Sequence, residues 1–229
     1  MLVAAVAVTY SESFSAFVVA APRRSGNRDL LRAVLRTPGV PVMGVTSAVL
    51  IAIQTGVLVF LFPLYLVKRA GVGPEMVGVL VSLTVLGRLM ALWLGGTASD
   101  RWGRMRVLVP GLLIYAVLLV SIARLTHALA LGILSFAIGA AAGFVAAIPT
   151  AFTGDHVDPA LQGVAVGWLR SMSDGGQIIG PLLMGAVADA IDVSAPFLFG
   201  AALLAVMAWR CRRHTKFAAN AVAAGERHS

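Results

Sequence analysis

Charged side chains are scarce in this sequence. They make up 12% of its 229 residues, about half of the roughly 25% found in an ordinary soluble domain. Hydrophobic residues make up 59%, and the mean hydropathy is +0.91. A soluble fold cannot hide that much apolar surface. Cysteine is scarcer still, with Cys211 alone, which excludes a disulfide framework and a cysteine-ligated metal. Cys211 lies beside Arg210, Arg212 and Arg213 after the last apolar block and reads as a buried or interfacial bystander; palmitoylation of a juxtamembrane thiol is the functional alternative. The four histidines, His127, His156, His214 and His228, are scattered. No His, Cys or carboxylate cluster has metal-ligand or nucleophile spacing, so no catalytic residue, metal or cofactor is expected and a membrane enzyme ranks last among the functional readings. Acidic residues number 10 against 18 Lys and Arg, for a net charge of +8. A nucleic-acid binder would gather such an excess into a stripe on a polar surface. Here the basic residues sit between apolar blocks, which points away from nucleic acid and towards membrane topology. The start of the chain lacks a basic n-region and a clean small-residue cleavage site, so the spans themselves are expected to direct insertion.

What the sequence has in abundance is apolar blocks of the length a helix needs to cross a hydrocarbon core of about 30 Å, roughly 17 to 25 residues. The lipid bilayer is therefore the expected solvent and partner. Six blocks are clear, at 43–67, 76–95, 107–123, 128–152, 163–188 and 191–209, and they predict an all-α membrane domain of six transmembrane helices over 43–209. An earlier stretch, 2–21, is broken by Tyr10, Ser11, Glu12 and Ser13; residues 1–21 are either a seventh span, a remnant of one, or an interfacial helix. Between them, 22–42 is a basic linker in which Leu30, Leu31, Val34 and Leu35 recur at helical spacing, predicting a short amphipathic helix along the membrane surface. Residues 210–229 form a basic tail. The connections are short and carry Gly, Pro or charge, so consecutive helices should be antiparallel. Asp158 followed by Pro159 reads as an N-cap and first helical residue of the fifth span.

Charge sets the expected orientation, because cytoplasmic loops hold the excess of Lys and Arg. With the linker inside, Arg23, Arg24, Arg28, Arg32 and Arg36 share a side with Arg101, Arg104 and Arg106, and with Arg210, Arg212, Arg213, Lys216 and Arg227. Lys68, Arg69 and Arg124 fall on the other side. That bias of thirteen to three places the C-terminus in the cytoplasm and the chain in the plasma membrane.

After the second clear span the sequence reads Gly96, three small or polar residues, then Asp100, Arg101, Trp102, Gly103, Arg104, Met105 and Arg106. Gly96 suits close helix approach, Gly103 a tight reversal, and Asp100 the positive end of a neighbouring helix. The arginines supply donors for carboxylates. This G-x-x-x-D-R-x-G-R-x-R pattern resembles the loop signature of the major facilitator superfamily, found after the second helix of each six-helix half. In the fifth span, Gly176, Gly180, Pro181 and Gly185 resemble that family's G-x-x-x-G-P-x-x-x-G signature, where small residues four apart allow close backbone packing and proline frees a carbonyl. The resemblance covers residues 43–209 and implies helices seven to twelve of such a transporter, its C-terminal half. In that family the path runs between two halves that rock against each other. The resemblance therefore implies a small-molecule substrate, and a partner in the form of a missing N-terminal six-helix half or another copy of the chain.

Ionisable residues within spans cost about 2.5 to 3.5 kcal/mol on insertion scales and so pair or line aqueous cavities. Arg170 and Asp174, four apart, form either a structural ion pair or a site in which Asp174 couples protons or holds substrate charge. Arg88 either reaches towards the cytoplasmic interface or faces the cavity and attracts an anion. Asp155 and Asp158 are candidate partners of Arg101, Arg104 and Arg106 in a cytoplasmic gate, a role the resemblance implies. Ser47 and Gln54, seven apart, share a helix face and either contact substrate or bond to backbone or a neighbouring helix. Two functions compete: a secondary transporter, proton-coupled as the resemblance implies, with efflux as a subclass, and a non-transporting membrane scaffold built on a half-transporter.

Overall fold

The computed structural model describes residues 27–68, 71–122 and 128–225, with the side chains at 27, 128 and 214–225 outside that description. The ambiguous stretch 2–21, Arg23, Arg24, Arg69, Arg124, His127, Arg227 and His228 lie outside the described residues.

Among the described residues the structure is all helical. The linker forms α1, Asn27–Arg36, as its leucine spacing predicts. Gly39, at φ 88°, turns the chain into α2, which runs over Val40–Lys68. Next come α3 (Pro74–Trp102), α4 (Arg104–Ile122), α5 (Ala128–Ala146), α6 (Ile148–His156), α7 (Gln162–Ala190) and α8 (Ala195–Gly225). Prolines mark several starts: Pro74 and Pro149 each occupy the first turn, where a missing N–H costs nothing. Pro149 also leaves the Val145 carbonyl without an amide donor, and α5 breaks from α6 at Ala147. A short 3₁₀ turn, Pro159–Leu161, leads into α7, capped by Asp158, whose carboxylate accepts from the Ala160 amide at 2.8 Å.

Among the described residues, five stretches are long and apolar enough to cross a membrane: Val40–Lys68, Pro74–Trp102, Arg104–Ile122, Leu129–His156 and Ala195–Arg213. Several run past the apolar blocks that foretell them, because a helix continues until a cap or turn stops it and not where its apolar residues end. The 29-residue α7 is long enough but less apolar, since Arg170, Asp174, Gln177, six glycines and a proline dilute its hydrophobic residues.

The helices associate in three pairs that pack along their lengths: α3 with α5, α2 with α7, and α4 with α8. A continuous core fills the space between them, with Ile53, Leu66, Leu108, Leu119, Phe197 and Leu204 among its fully buried members. At one end Tyr65 donates its hydroxyl to the Ile122 carbonyl at 2.9 Å and packs on Phe197, ring centroids 5.0 Å apart. At the other, Thr46 and the buried Cys211 lie 3.8 Å apart. Those two contacts make α2 and α4 antiparallel to α8. A smaller cluster, Val34, Val40, Val157 and Ala165 with Trp168, seats α1 on the start of α7.

Candidate functional site

The predicted reversal is where the motif puts it. Gly103 separates α3 from α4 at φ 91°, a left-handed conformation that a β-carbon penalises. The turn leaves Arg104 as the junction of three elements. Its Nε donates to Asp155 at the end of α6 at 2.8 Å, a second nitrogen donates to the Ser99 hydroxyl at 2.7 Å, and the same guanidinium is ion-paired with Asp100. Arg104 is mostly buried while Asp100 and Asp155 are half exposed, so each pair contributes no more than about 1 kcal/mol. The cluster orients more than it stabilises. Of the other motif residues, Arg101 and Arg106 are exposed and make no ion pair among the described residues. Asp158 spends its carboxylate on its own helix. Close approach belongs to Gly95 and not Gly96: a β-carbon on Gly95 would lie 2.0 Å from the Phe144 carbonyl oxygen, while one on Gly96 would meet nothing. His156 stacks on Phe152, centroids 4.0 Å apart, with Nδ1 2.9 Å from the Phe152 carbonyl. No group of three or more metal-ligating side chains occurs among the described residues.

The Gly-Pro segment meets α2 backbone to backbone. A β-carbon on Gly176 would lie 2.2 Å from the Ala48 carbonyl oxygen, one on Gly180 2.5 Å from that of Ala52, and one on Gly56 2.6 Å from that of Gly180. Gly185 meets nothing, so the contact ends near Pro181. On the α2 side it ends in an eight-residue π-helix, Gln54–Leu61, in which the Phe62 amide bonds to the Val57 carbonyl five residues back. Sequence periodicity over so short a stretch cannot distinguish π from α.

Polar residues line the edge of this contact. Ser47 of α2 and Ser173 of α7 share a hydrogen bond of 2.8 Å. Arg170 and Asp174 pair at 3.5 Å with their side chains 81% and 54% exposed, on a face that also carries exposed Ser171 and Gln177. Positions 170, 171, 174 and 177 fall on one side of a helix. Thus four polar side chains in the middle of a membrane-length helix share one exposed side. A cleft of about 450 Å³ between α1 and α7, lined by Leu31, Gly163, Val164, Gly167, Trp168 and Ser171, opens onto the same stripe. Gln54 is half-buried at the start of the π-helix, and Thr55 bonds to its own helix through the Ile51 carbonyl at 2.8 Å.

Arg88 lies in the middle of α3, half-buried. The fourteen residues from Arg88 to Trp102 span about 21 Å of helix, and the Cα–Cβ bond tilts towards the helix N-terminus, so the guanidinium does not reach the Arg104 end. On α4, Tyr115 is buried, and its hydroxyl has no hydrogen-bond partner among the described residues. Two glycines of α5 make close contacts nearby. A β-carbon on Gly139 would lie 1.8 Å from the Thr84 carbonyl oxygen, and one on Gly143 2.2 Å from that of Arg88.

The family model described as Major Facilitator Superfamily matches residues 44–227 of this chain. A relative, the multidrug resistance protein MdtG of a Rahnella species, is 28% identical over 175 residues; the match covers 75% of this chain and 42% of that protein. The chain therefore spans less than half the length of the curated relative it matches.

Proposed function

The chain belongs to the Major Facilitator Superfamily, and on that premise we propose that it is one six-helix half of a secondary transporter that moves a small solute by alternating access. α7 is the sixth crossing. Its lower apolarity fits a helix that turns one face to an aqueous path, as expected of intramembrane ionisable residues. The single observation that carries this reading is the exposed stripe Arg170, Ser171, Asp174 and Gln177. A second six-helix unit, either an N-terminal half or another copy of this chain, closes the path by packing over it. The share of the MdtG relative that the chain covers, 42%, is close to what one of two halves would occupy.

In this reading Asp174 carries the coupling proton, and its ionised form is held by Arg170. Ser47, Gln54 and the half-buried Arg88 contribute substrate contacts from α2 and α3. The Arg104 cluster lies in the cytoplasm and clasps α3, α4 and α6 in one state of the gate, with the C-terminus on the same side of a plasma membrane. Efflux of an organic solute is the subclass the MdtG likeness suggests. The test is ethidium flux driven by a pH gradient in vesicles containing the chain and, in parallel, the chain coexpressed with a six-helix N-terminal half of the relative. Asp174→Asn should abolish flux while leaving membrane abundance unchanged. Loss of flux matched by loss of abundance would make the Arg170–Asp174 pair purely structural.

A further inference from the structure

The paired helices α4 and α8 each present an exposed apolar column, and both columns end in arginine at the Arg104 end. On α4 the exposed residues Val117, Leu113 and Pro110 lead to Arg106. On α8, Leu198, Ala202, Val206 and Trp209 lead to Arg213. Spacings of three and four keep each column on one helix face. Arg213 is folded back over the Trp209 ring, its guanidinium carbon 3.9 Å from the centroid, the arrangement of an aromatic anchor with a cation at a membrane interface. Arg210 flanks the pair and is exposed.

Among the described residues this positive charge has no counter-ion close by. Neither α4 nor α8 contains Asp or Glu. The acids at the same end are otherwise engaged: Asp100 and Asp155 on Arg104, Asp29 on Arg32, and Asp158 on its own helix. A soluble anion would suit bare arginines, but it would have no use for the apolar columns running directly from them. A diacyl phospholipid matches both, with chains along the columns and a phosphodiester at the guanidinium groups.

We propose that the α4–α8 face is a binding surface for anionic phospholipid, with Arg106, Arg210 and Arg213 holding the headgroup and Trp209 lying at the level of the glycerol. The site is independent of the transport path, since it uses none of the residues of α2 and α7.

Trp209 supplies the reporter. In the full chain carrying Trp93→Phe, Trp102→Phe and Trp168→Phe, brominated phosphatidylglycerol should quench its fluorescence more than brominated phosphatidylcholine at equal mole fraction. The added substitutions Arg106→Gln, Arg210→Gln and Arg213→Gln should each reduce that preference about fivefold, the effect of one basic residue at an anionic surface, while Lys at the same positions should retain most of it. Millimolar glycerol 1-phosphate should leave the quenching unchanged. Displacement by that soluble ester would make the site one for a free phosphate and overturn the lipid assignment, as would equal quenching by the two lipids or an unchanged preference in the triple Gln variant. Should the tryptophan-substituted chain fail to fold, native mass spectrometry of the unsubstituted chain and its Gln variants, counting retained phosphatidylglycerol against phosphatidylcholine, gives the same decision.

Discussion

Two helix pairs in this protein touch backbone to backbone through glycines, and they are built for different ends. The α3–α5 crossing is closed. Gly87, Gly95, Gly139 and Gly143 bring carbonyls of one helix against the α-carbons of the other. Neither helix is broken inside the crossing. The α2–α7 crossing uses the same close approach at Gly56, Gly176 and Gly180, but beside it lie a π-helix, an internal proline, a serine pair and an exposed ion pair. Small residues remove the steric barrier to contact in both cases. What differs is whether the surrounding backbone hydrogen bonds are fully committed. Where they are, the crossing is a fixed strut, and where a proline and a π-helix leave them irregular, the helices can change their relation at little cost.

The largest expected effect breaks the strut. Gly139→Leu would drive a side chain into the Thr84 carbonyl, a backbone group that cannot yield, so the loss should exceed the roughly 1 to 3 kcal/mol of ordinary overpacking. No monodisperse protein should be recovered by size-exclusion chromatography, whereas Gly185→Leu, which meets nothing, should purify normally. Next, Asp174→Asn should lower proton-driven ethidium flux at least about tenfold, or 1.4 kcal/mol in barrier height, with abundance and melting temperature unchanged. A smaller effect is expected of Arg104→Gln. It should lower the melting temperature by a few degrees, in keeping with about 1 kcal/mol for partly exposed pairs, and adding Asp155→Asn should cost little more, because the two share one interaction. Smallest is Ser173→Ala, expected to cost about 1 kcal/mol or less. If it instead matched Gly139→Leu in destabilisation, the contrast between the two crossings would fail.

Much of this was legible in the sequence. Block length foretold five helices able to cross a membrane, the leucine spacing foretold α1, and Gly103 foretold the reversal, because each is a local consequence of backbone geometry. The pairing of Arg170 with Asp174 followed from their separation of four. Partner choice across the fold was less legible. The sequence offered three arginines and two carboxylates for the motif cluster, and only the packing of α6 against α3 and α4 selects Arg104 with Asp155. Gly96 suited close approach as well as Gly95 did; which one meets Phe144 depends on the rotation of α3, fixed by its partner. Gly139 and Gly143, four apart, show only a small-residue spacing common in membrane helices, and what they meet is fixed in the same way. The π-helix carried no periodic signal, and the block at 163–188, counted among six clear spans, falls short of the apolarity of the other five because of polar residues that share one exposed face.

The account turns on that face meeting water within the membrane. In a Cys211→Ser background, single cysteines at 171, 174 and 177 of α7 should react with a membrane-impermeant maleimide in sealed vesicles, while cysteines at exposed apolar positions 89 and 93 of α3 and 114 of α4 should stay unmodified. Equal reactivity at both sets, or protection of all three α7 positions, would contradict it.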